Sequence, residues 1–194
     1  MKQFNLEDKW TLRAREAGFR ARSAYKLIEL DQRFHLLHKG MKVLDLAAAP
    51  GSFSQYASEQ VGLKGKILAL DIQPIKKIAD NVTTKVCDIT DSQAVEQALV
   101  AEGWKQVDLI LSDVAPNISG ITYVDQKRSV ELNQAIVGIA QKYLKPRSSL
   151  VMKIFEGEGV PKFLKQLKAH FKSVKMVKVA ASREGSREAY IVCK

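Results

Sequence analysis

The sequence predicts an α/β fold: a mostly parallel sheet with helices on both faces. Three observations lead there. Short apolar runs at 42–47 (K-V-L-D-L-A), 66–70 (K-I-L-A-L), 107–111 (V-D-L-I-L) and 150–155 (L-V-M-K-I-F) read as continuous buried strands, not as alternating half-buried ones. Stretches whose apolar residues recur at helical spacing separate these runs. The chain of 194 residues is 46% hydrophobic, which suits one core, and no repeat or Pro/Gly-rich linker divides it.

In chain order, residues 6–38 read as mostly helical and rich in Arg and Lys, and Gly40 breaks that pattern. The first strand at 42–47 is followed by a helix over 53–61, and a second strand at 66–70 ends at Asp71. A third short strand at 83–87 ends at Asp88, and a helix over 92–102 leads to the fourth at 107–111, which ends at Ser112-Asp113. A long helix over 124–144, a fifth strand at 150–155, a helix over 160–171 and two strands at 174–180 and 189–193 complete the chain. The link between the last two strands, 181–188, is too short for a crossover, so one strand near the C-terminus runs antiparallel. The expectation is a single domain, residues 1–194, with a seven-stranded sheet. In such a sheet, ligands bind beyond the carboxyl ends of the strands.

The charge is unevenly spread. Lys and Arg number 31 against 21 Asp and Glu, a net charge of +10. Residues 1–40 hold nine basic and five acidic residues, and residues 162–187 hold eight basic residues against Glu184 alone. In the helix over 160–171, Val160, Phe163, Leu164, Leu167 and Phe171 share one face, and Lys162, Lys165, Lys168 and Lys172 share another. Solvated lysines can serve solubility alone, but a face without acidic partners suits a polyanion. A membrane is a poorer match, because no large exposed apolar face accompanies the lysines. No apolar run reaches the roughly 18–20 residues that span a bilayer, and residues 1–8 lack a secretory signal pattern. Two cysteines, Cys87 and Cys193, make neither a disulfide framework nor a four-Cys zinc site. These features predict a cytoplasmic protein that binds nucleic acid, with no metal and no membrane partner, and acts as a monomer.

A nucleoside-type site is written at three successive strand ends. The first strand runs into D-L-A-A-A-P-G-S-F-S-Q at 45–55, where small residues and Gly51 admit close approach of a ligand to the backbone. The next helix offers its N-terminal amides. Twenty residues after Gly51 stands Asp71, placed to accept ribose hydroxyls, and seventeen further stands Asp88, placed to accept an adenine amino group. Taken singly, Gly51 is a turn glycine and the aspartates are helix caps. Taken in this order they form a constellation. Alanine at 47 and 49 breaks G-x-G-x-x-G, which argues against a nicotinamide dinucleotide and for S-adenosylmethionine.

Four ionisable residues stand in unusual places. Asp113 directly follows the fourth strand, Lys153 interrupts an apolar strand, Lys26 lies in R-A-R-S-A-Y-K-L, and Glu188 precedes A-Y-I-V. A lysine inside a buried strand is costly unless paired or used, or unless it snorkels to water at a strand end.

With these motifs in view, D-L-A-A-A-P-G-S-F-S-Q, S-D-V-A-P-N, V-M-K-I-F-E-G-E-G, F-R-A-R-S-A-Y-K-L and S-R-E-A-Y-I-V resemble those of the FtsJ-like (RrmJ-type) RNA 2′-O-methyltransferases, over roughly residues 10–193. The resemblance implies a Rossmann-like S-adenosylmethionine-dependent methyltransferase fold and a Lys-Asp-Lys-Glu tetrad at Lys26, Asp113, Lys153 and Glu188. It implies cofactor contacts at Gly51, Phe53, Asp71, Asp88 and Asp113. The short chain is similar to bacterial members that act on a uridine of large-subunit (23S) ribosomal RNA. The basic ends would hold the RNA backbone through Arg20, Arg22, Lys162, Lys165 and Lys168.

The chain departs from the family pattern at Ala47, usually Gly, at Phe53, often Trp, and at Pro146-Arg147-Ser148, often Pro-Gly-Gly. None of these removes a reacting group. Related motifs occur in tRNA-modifying relatives, so tRNA ribose is the alternative substrate. A non-catalytic RNA-binding assembly factor is the alternative class, disfavoured because such a protein has no need of Lys153 in a strand.

Overall fold

The computed structural model describes residues 8–115, 122–183 and 185–194. The expected helical start at Leu6, Pro116 and Asn117 of the fourth-strand motif, and Glu184 lie outside the described residues. The strands are β1 (Lys42–Leu46), β2 (Lys66–Asp71), β3 (Val82–Val86), β4 (Val107–Ser112), β5 (Leu144–Phe155), β6 (Val174–Val177) and β7 (Glu188–Cys193). The helices are α1 (Lys9–Glu16), α2 (Ala24–Phe34), α3 (Ser52–Val61), α4 (Ser92–Ala101), α5 (Thr122–Tyr143) and α6 (Val160–Lys168). All seven strands form one sheet in the order β3-β2-β1-β4-β5-β7-β6. β7 alone opposes the rest: it pairs antiparallel with both β5 and β6, as the short last connection requires.

Side chains alternate across the sheet and build two cores. Leu44, Leu46, Leu68, Leu70, Ile110, Met152 and Ile191 pack under α4, α5 and α6. Val43, Ile67, Leu109, Val151, Tyr190 and Val192 pack under α2 and α3. Because both faces are covered, the central strands read as unbroken apolar runs. Among the described residues, no helix is long and apolar enough to cross a membrane.

Several boundaries differ from expectation, and three of them have a physical reason on view. The basic N-terminal stretch, expected to be mostly helical to residue 38, divides into two helices and ends its second at Phe34. Asp8 caps α1 through the Trp10 amide at 3.1 Å, and Gly18, with φ of +74°, turns the chain before α2. β5 starts at Leu144, directly after α5. Its pairing with β4 slips between Val107–Leu144 and Leu109–Ser149, and Arg147 in that irregular stretch has φ of +66°. β6 ends at Val177, short of 180. There α2 captures the backbone: Arg33 donates to the Lys178 carbonyl at 3.0 Å, and Glu29 accepts from the Ala180 amide at 2.7 Å.

Candidate active site

Beyond the carboxyl ends of β1, β2, β3 and β4 lies a cavity of about 620 Å³. Its walls include Ala47, Ala49 and Pro50 after β1, Asp71 to Pro74 after β2, Cys87 to Thr90 after β3, and Asp113 to Ala115 after β4. This is a drug-sized volume, suited to an adenosyl compound. Asp71 accepts the Ala49 amide on Oδ2 and the Gln73 amide on Oδ1, both at 2.8 Å, so it fastens the two loops that flank the opening. Asp88 accepts the amide and the hydroxyl of Thr90 on the same oxygen, Oδ1, at 2.9 and 2.7 Å. Those two bonds hold its carboxyl below the usual range and leave Oδ2 as a fixed acceptor. Neither aspartate is a helix cap; Asp91 caps α4.

Gly51 caps α3 with φ of +101°, and a Cβ there would lie 2.6 Å from the Ile78 side chain. Any L side chain there would be strained by that φ and would push the tip of the Ile78 side chain aside. Gly51 adjoins the cavity wall, and its neighbours Ala49 and Pro50 form it. Phe53, expected at the cofactor, is 2% exposed in the core under α2 and α3. Its ring stacks against Tyr190 with centroids 6.4 Å apart, so it supports the adjoining polar cluster from behind. Ala47 has φ of +57°. At both Ala47 and Arg147, the chain places a side chain in a left-handed backbone where the family pattern has glycine.

Next to the cavity, four elements bring Lys26, Asp113, Lys153 and Glu188 together. Lys26 sits in the first turn of α2 and pairs with Glu188 Oε1 at 2.6 Å. Lys153 projects from β5 on the same face as Val151, toward α2, by strand alternation. Its Nζ lies 3.1 Å from Asp113 Oδ1 and 2.6 Å from the Asp113 carbonyl. Lys26 is 3.9 Å from the same Oδ1. Lys153 is 6% exposed, so it is paired inside the protein and does not snorkel to water. The ion pairs run as a chain, Glu188–Lys26–Asp113–Lys153, with Asp113 also forming a cavity wall.

The sequence reading missed four residues of this cluster and its surroundings. Tyr190, opposite Lys153 in the β5–β7 register, donates its hydroxyl to Asp113 Oδ1 at 2.5 Å. Burial, with Asp113 and Glu188 alongside, pushes that phenol well above its ordinary range, so it stays a donor. A buried tyrosine in an apolar strand usually needs such a partner, and that was the available signal. Asn133 of α5 donates to the Lys153 carbonyl at 2.9 Å, and Ser182 donates to Glu188 Oε1 at 2.7 Å. Asp45 is the fourth. It is 1% exposed in β1, takes the Ser54 hydroxyl at 2.6 Å on Oδ2, and has no partner for Oδ1 among the described residues. Burial, reinforced by the charges of Asp113 and Asp71, raises its carboxyl to about 7.

The basic residues divide into two groups. Lys162, Lys165 and Lys168 are exposed on α6 and form no ion pair among the described residues. Arg22 pairs with Asp8. Burial and the nearby Arg183 lower its pKa, and Glu188 and Asp113 oppose the shift, so its guanidinium borders the polar cluster. Arg20 is not free at the surface. It donates to the carbonyls of Pro50 and Lys76, at 3.1 and 2.9 Å, and of Lys77.

The model of the FtsJ-like methyltransferase family matches residues 19–194. Proteins named "Ribosomal RNA large subunit methyltransferase E" from Cellvibrio japonicus and Stutzerimonas stutzeri are 42% and 43% identical over 190 residues. Each alignment covers 98% of this chain, and 90% and 92% of those proteins. Among solved structures, one from Plasmodium falciparum titled as a ribosomal RNA methyltransferase superposes with a TM-score of 0.81 at 30% identity, covering 91% of this chain and 97% of that one. Fibrillarin from Aeropyrum pernix, solved with bound S-adenosyl-L-methionine, shares the fold at a TM-score of 0.61 and 16% identity, covering 89% of this chain and 76% of that one. By sequence, sheet order and strand-end geometry together, the chain belongs to the FtsJ-like methyltransferase family.

Proposed function

We propose that the chain transfers a methyl group from S-adenosylmethionine to a ribose 2′-hydroxyl of RNA, and that the acceptor is a uridine of 23S ribosomal RNA in the cytoplasm. One observation carries the chemistry: the chain Glu188–Lys26–Asp113–Lys153 meets the cavity at Asp113, so activating groups and donor site share a wall. The names of the Cellvibrio and Stutzerimonas relatives support the ribosomal substrate over tRNA.

The donor set fits an adenosyl group with no phosphate. Asp88 offers Oδ2 to an amino group, Asp71 stands where ribose hydroxyls need an acceptor, and the β1–α3 turn lacks the glycines that a pyrophosphate wants. When bound, S-adenosylmethionine supplies an electrophilic methyl group on a sulfonium. The chain's own part is to orient and deprotonate the sugar. Lys153 acts as the base in its unprotonated form, after the ammonium of the ion pair has released a proton to solvent. A neutral amine has two hydrogens and one lone pair. Its two acceptors at 2.6 and 3.1 Å occupy the hydrogens, and the lone pair is left for the hydroxyl proton. Asp113, fixed by Tyr190 and Lys153, orients that amine. Lys26, clamped by Glu188, keeps positive charge beside the oxygen as it becomes negative.

The exposed lysines of α6 with Arg22 form the RNA-facing surface. Neutralising Lys162, Lys165 and Lys168 lowers RNA affinity and makes its salt dependence shallower, by about 0.7–0.9 in slope for each phosphate the protein ceases to neutralise. The test of the function is incubation with labelled S-adenosylmethionine and separate pools of tRNA, naked ribosomal RNA and large ribosomal subunits. The expected result is label in 23S RNA at one nucleotide that resists alkaline cleavage, because its 2′ oxygen is blocked. Label in tRNA alone would replace the acceptor, and no label in any pool would leave only an RNA-binding role.

A further inference from the structure

Arg20 reads in the sequence as a free cation of the basic N-terminal segment, yet its guanidinium is held by three backbone carbonyls. One terminal nitrogen, Nη1, donates to the Pro50 carbonyl at 3.1 Å and the Lys76 carbonyl at 2.9 Å, and Nη2 donates to the Lys77 carbonyl. Pro50 lines the cavity from the loop after β1. Lys76 and Lys77 continue the loop whose first residues, Ile72 to Pro74, line it from the opposite side. A single side chain therefore ties both lips together from outside, as Asp71 ties them from inside through the Ala49 and Gln73 amides. The packing agrees. The space above Gly51 is filled by Ile78, Ile75 and Arg20, within 2.6, 3.2 and 3.4 Å of where a Cβ would stand.

The backbone of Arg20 is anchored as well. Its amide donates to Gln55 Oε1 at 3.0 Å, and Gln55 donates back to the Gly18 carbonyl at 2.8 Å, which fixes the segment against α3. A guanidinium suits this task better than an ammonium. Its planar fork reaches several carbonyls at once and stays charged at any working pH.

We propose that Arg20 is a positioning residue of the methyl-donor pocket: it holds the 50–51 and 76–78 loops at the spacing the donor needs, and it does not bind RNA phosphate. The inference rests on reading the strand-end cavity as the S-adenosylmethionine site. Arg20 touches neither donor nor acceptor, so its effect falls on donor affinity. Loss of about one charge-assisted hydrogen bond's worth of loop order corresponds to roughly tenfold weaker donor binding.

The experiment compares wild type, Arg20→Met and Arg20→Lys. It measures donor Kd by calorimetry with S-adenosylmethionine, RNA Kd at several salt concentrations, and steady-state KM and kcat. In Arg20→Met the donor Kd and the donor KM rise about tenfold. The kcat at saturating donor, the RNA Kd and its salt slope stay within about twofold of wild type, because no phosphate partner is removed. Arg20→Lys, which can reach one carbonyl, falls between and remains folded for measurement if Arg20→Met does not. A merely structural loss would not move donor KM alone. Donor affinity unchanged in both variants overturns the proposal, and so does an RNA affinity and salt slope that fall while donor binding holds. Wild-type protein that binds no donor instead overturns the reading of the cavity, a result visible before any variant is compared.

Discussion

The edge where strands end has two halves, and they satisfy their carboxylates by different means. Beyond β2 and β3, Asp71 and Asp88 are held by backbone amides and one hydroxyl, from Gln73, Thr90 and the adjoining Ala49. Beyond β4, β5 and β7, Asp113 and Glu188 are held by Lys26, Lys153, Tyr190 and Ser182, from four separate elements or loops. The first half is a set of local turns with carboxylate oxygens left for the hydroxyls and amino group of a nucleoside. The second is a buried ionic chain in which each charge depends on its neighbour. Local turns suit binding, because they cost little to preorganise. A coupled chain suits proton transfer, because it fixes an amine against an acceptor with little room to move.

The difference can be broken or sharpened by substitution. The largest effect is expected from Lys153→Ala: single-turnover methyl transfer falls by about 10³-fold or more, and calorimetry shows unchanged donor binding. Equal loss of both would mean the halves are one unit. Next, Lys26→Met leaves the Glu188 carboxylate with Ser182 as its only side-chain hydrogen-bond donor among the described residues, and urea unfolding should show a loss of about 3 kcal/mol. The double substitution Lys26→Met with Glu188→Leu should recover much of that.

Asp45 lies at the seam, where Asp71 and Asp113 both act on it. Its folded carboxyl titrates near 7 and its unfolded one near 3.8, so the folded state holds the extra proton between them. Stability is therefore greatest below pH 3.8 as far as this group is concerned, and it falls by about 1.4 kcal/mol per pH unit as pH rises toward 7. Asp45→Asn should remove that slope, and an unchanged slope in denaturation series across pH 4–7 would show that Asp45 is ionised in the fold. In the binding half, Asp88→Ala should raise the donor Kd about tenfold and leave kcat at saturation in place, because only one acceptor is lost. The smallest effect is at Ala47, whose φ of +57° favours glycine: Ala47→Gly should raise stability by about 0.5–1 kcal/mol in thermal unfolding, with Arg147→Gly behaving alike.

How legible each half was follows from the same contrast. Asp71, Asp88 and Asp113 are legible because each follows a strand-like run, apolar before Asp71 and Asp113 and β-branched before Asp88. Lys153 stood out as a charge within such a run. Lys26 and Glu188 were found only through the motifs around them, since neither a helix's first turn nor a strand's first residue marks a pair. The family resemblance implies Phe53 as a cofactor contact, but the first turn of α3 directs its ring to Tyr190 and the core. The contacts of Arg20 and Tyr190 escaped the sequence reading for one reason. Their partners are carbonyls and a carboxylate 30 to 77 residues away, and a backbone acceptor leaves no mark in sequence.

By itself the sequence determined the strand and helix order, the single antiparallel strand, and the acidic residues at strand ends. These depend on local periodicity and on the length of a connection, both of which are read along the chain. Only the tertiary structure decided which lysine meets which carboxylate, which carbonyls hold Arg20, and that Asp45 is buried with its carboxyl raised to about 7. Pairing energies and desolvation depend on distances across the fold, and no local pattern sets those distances.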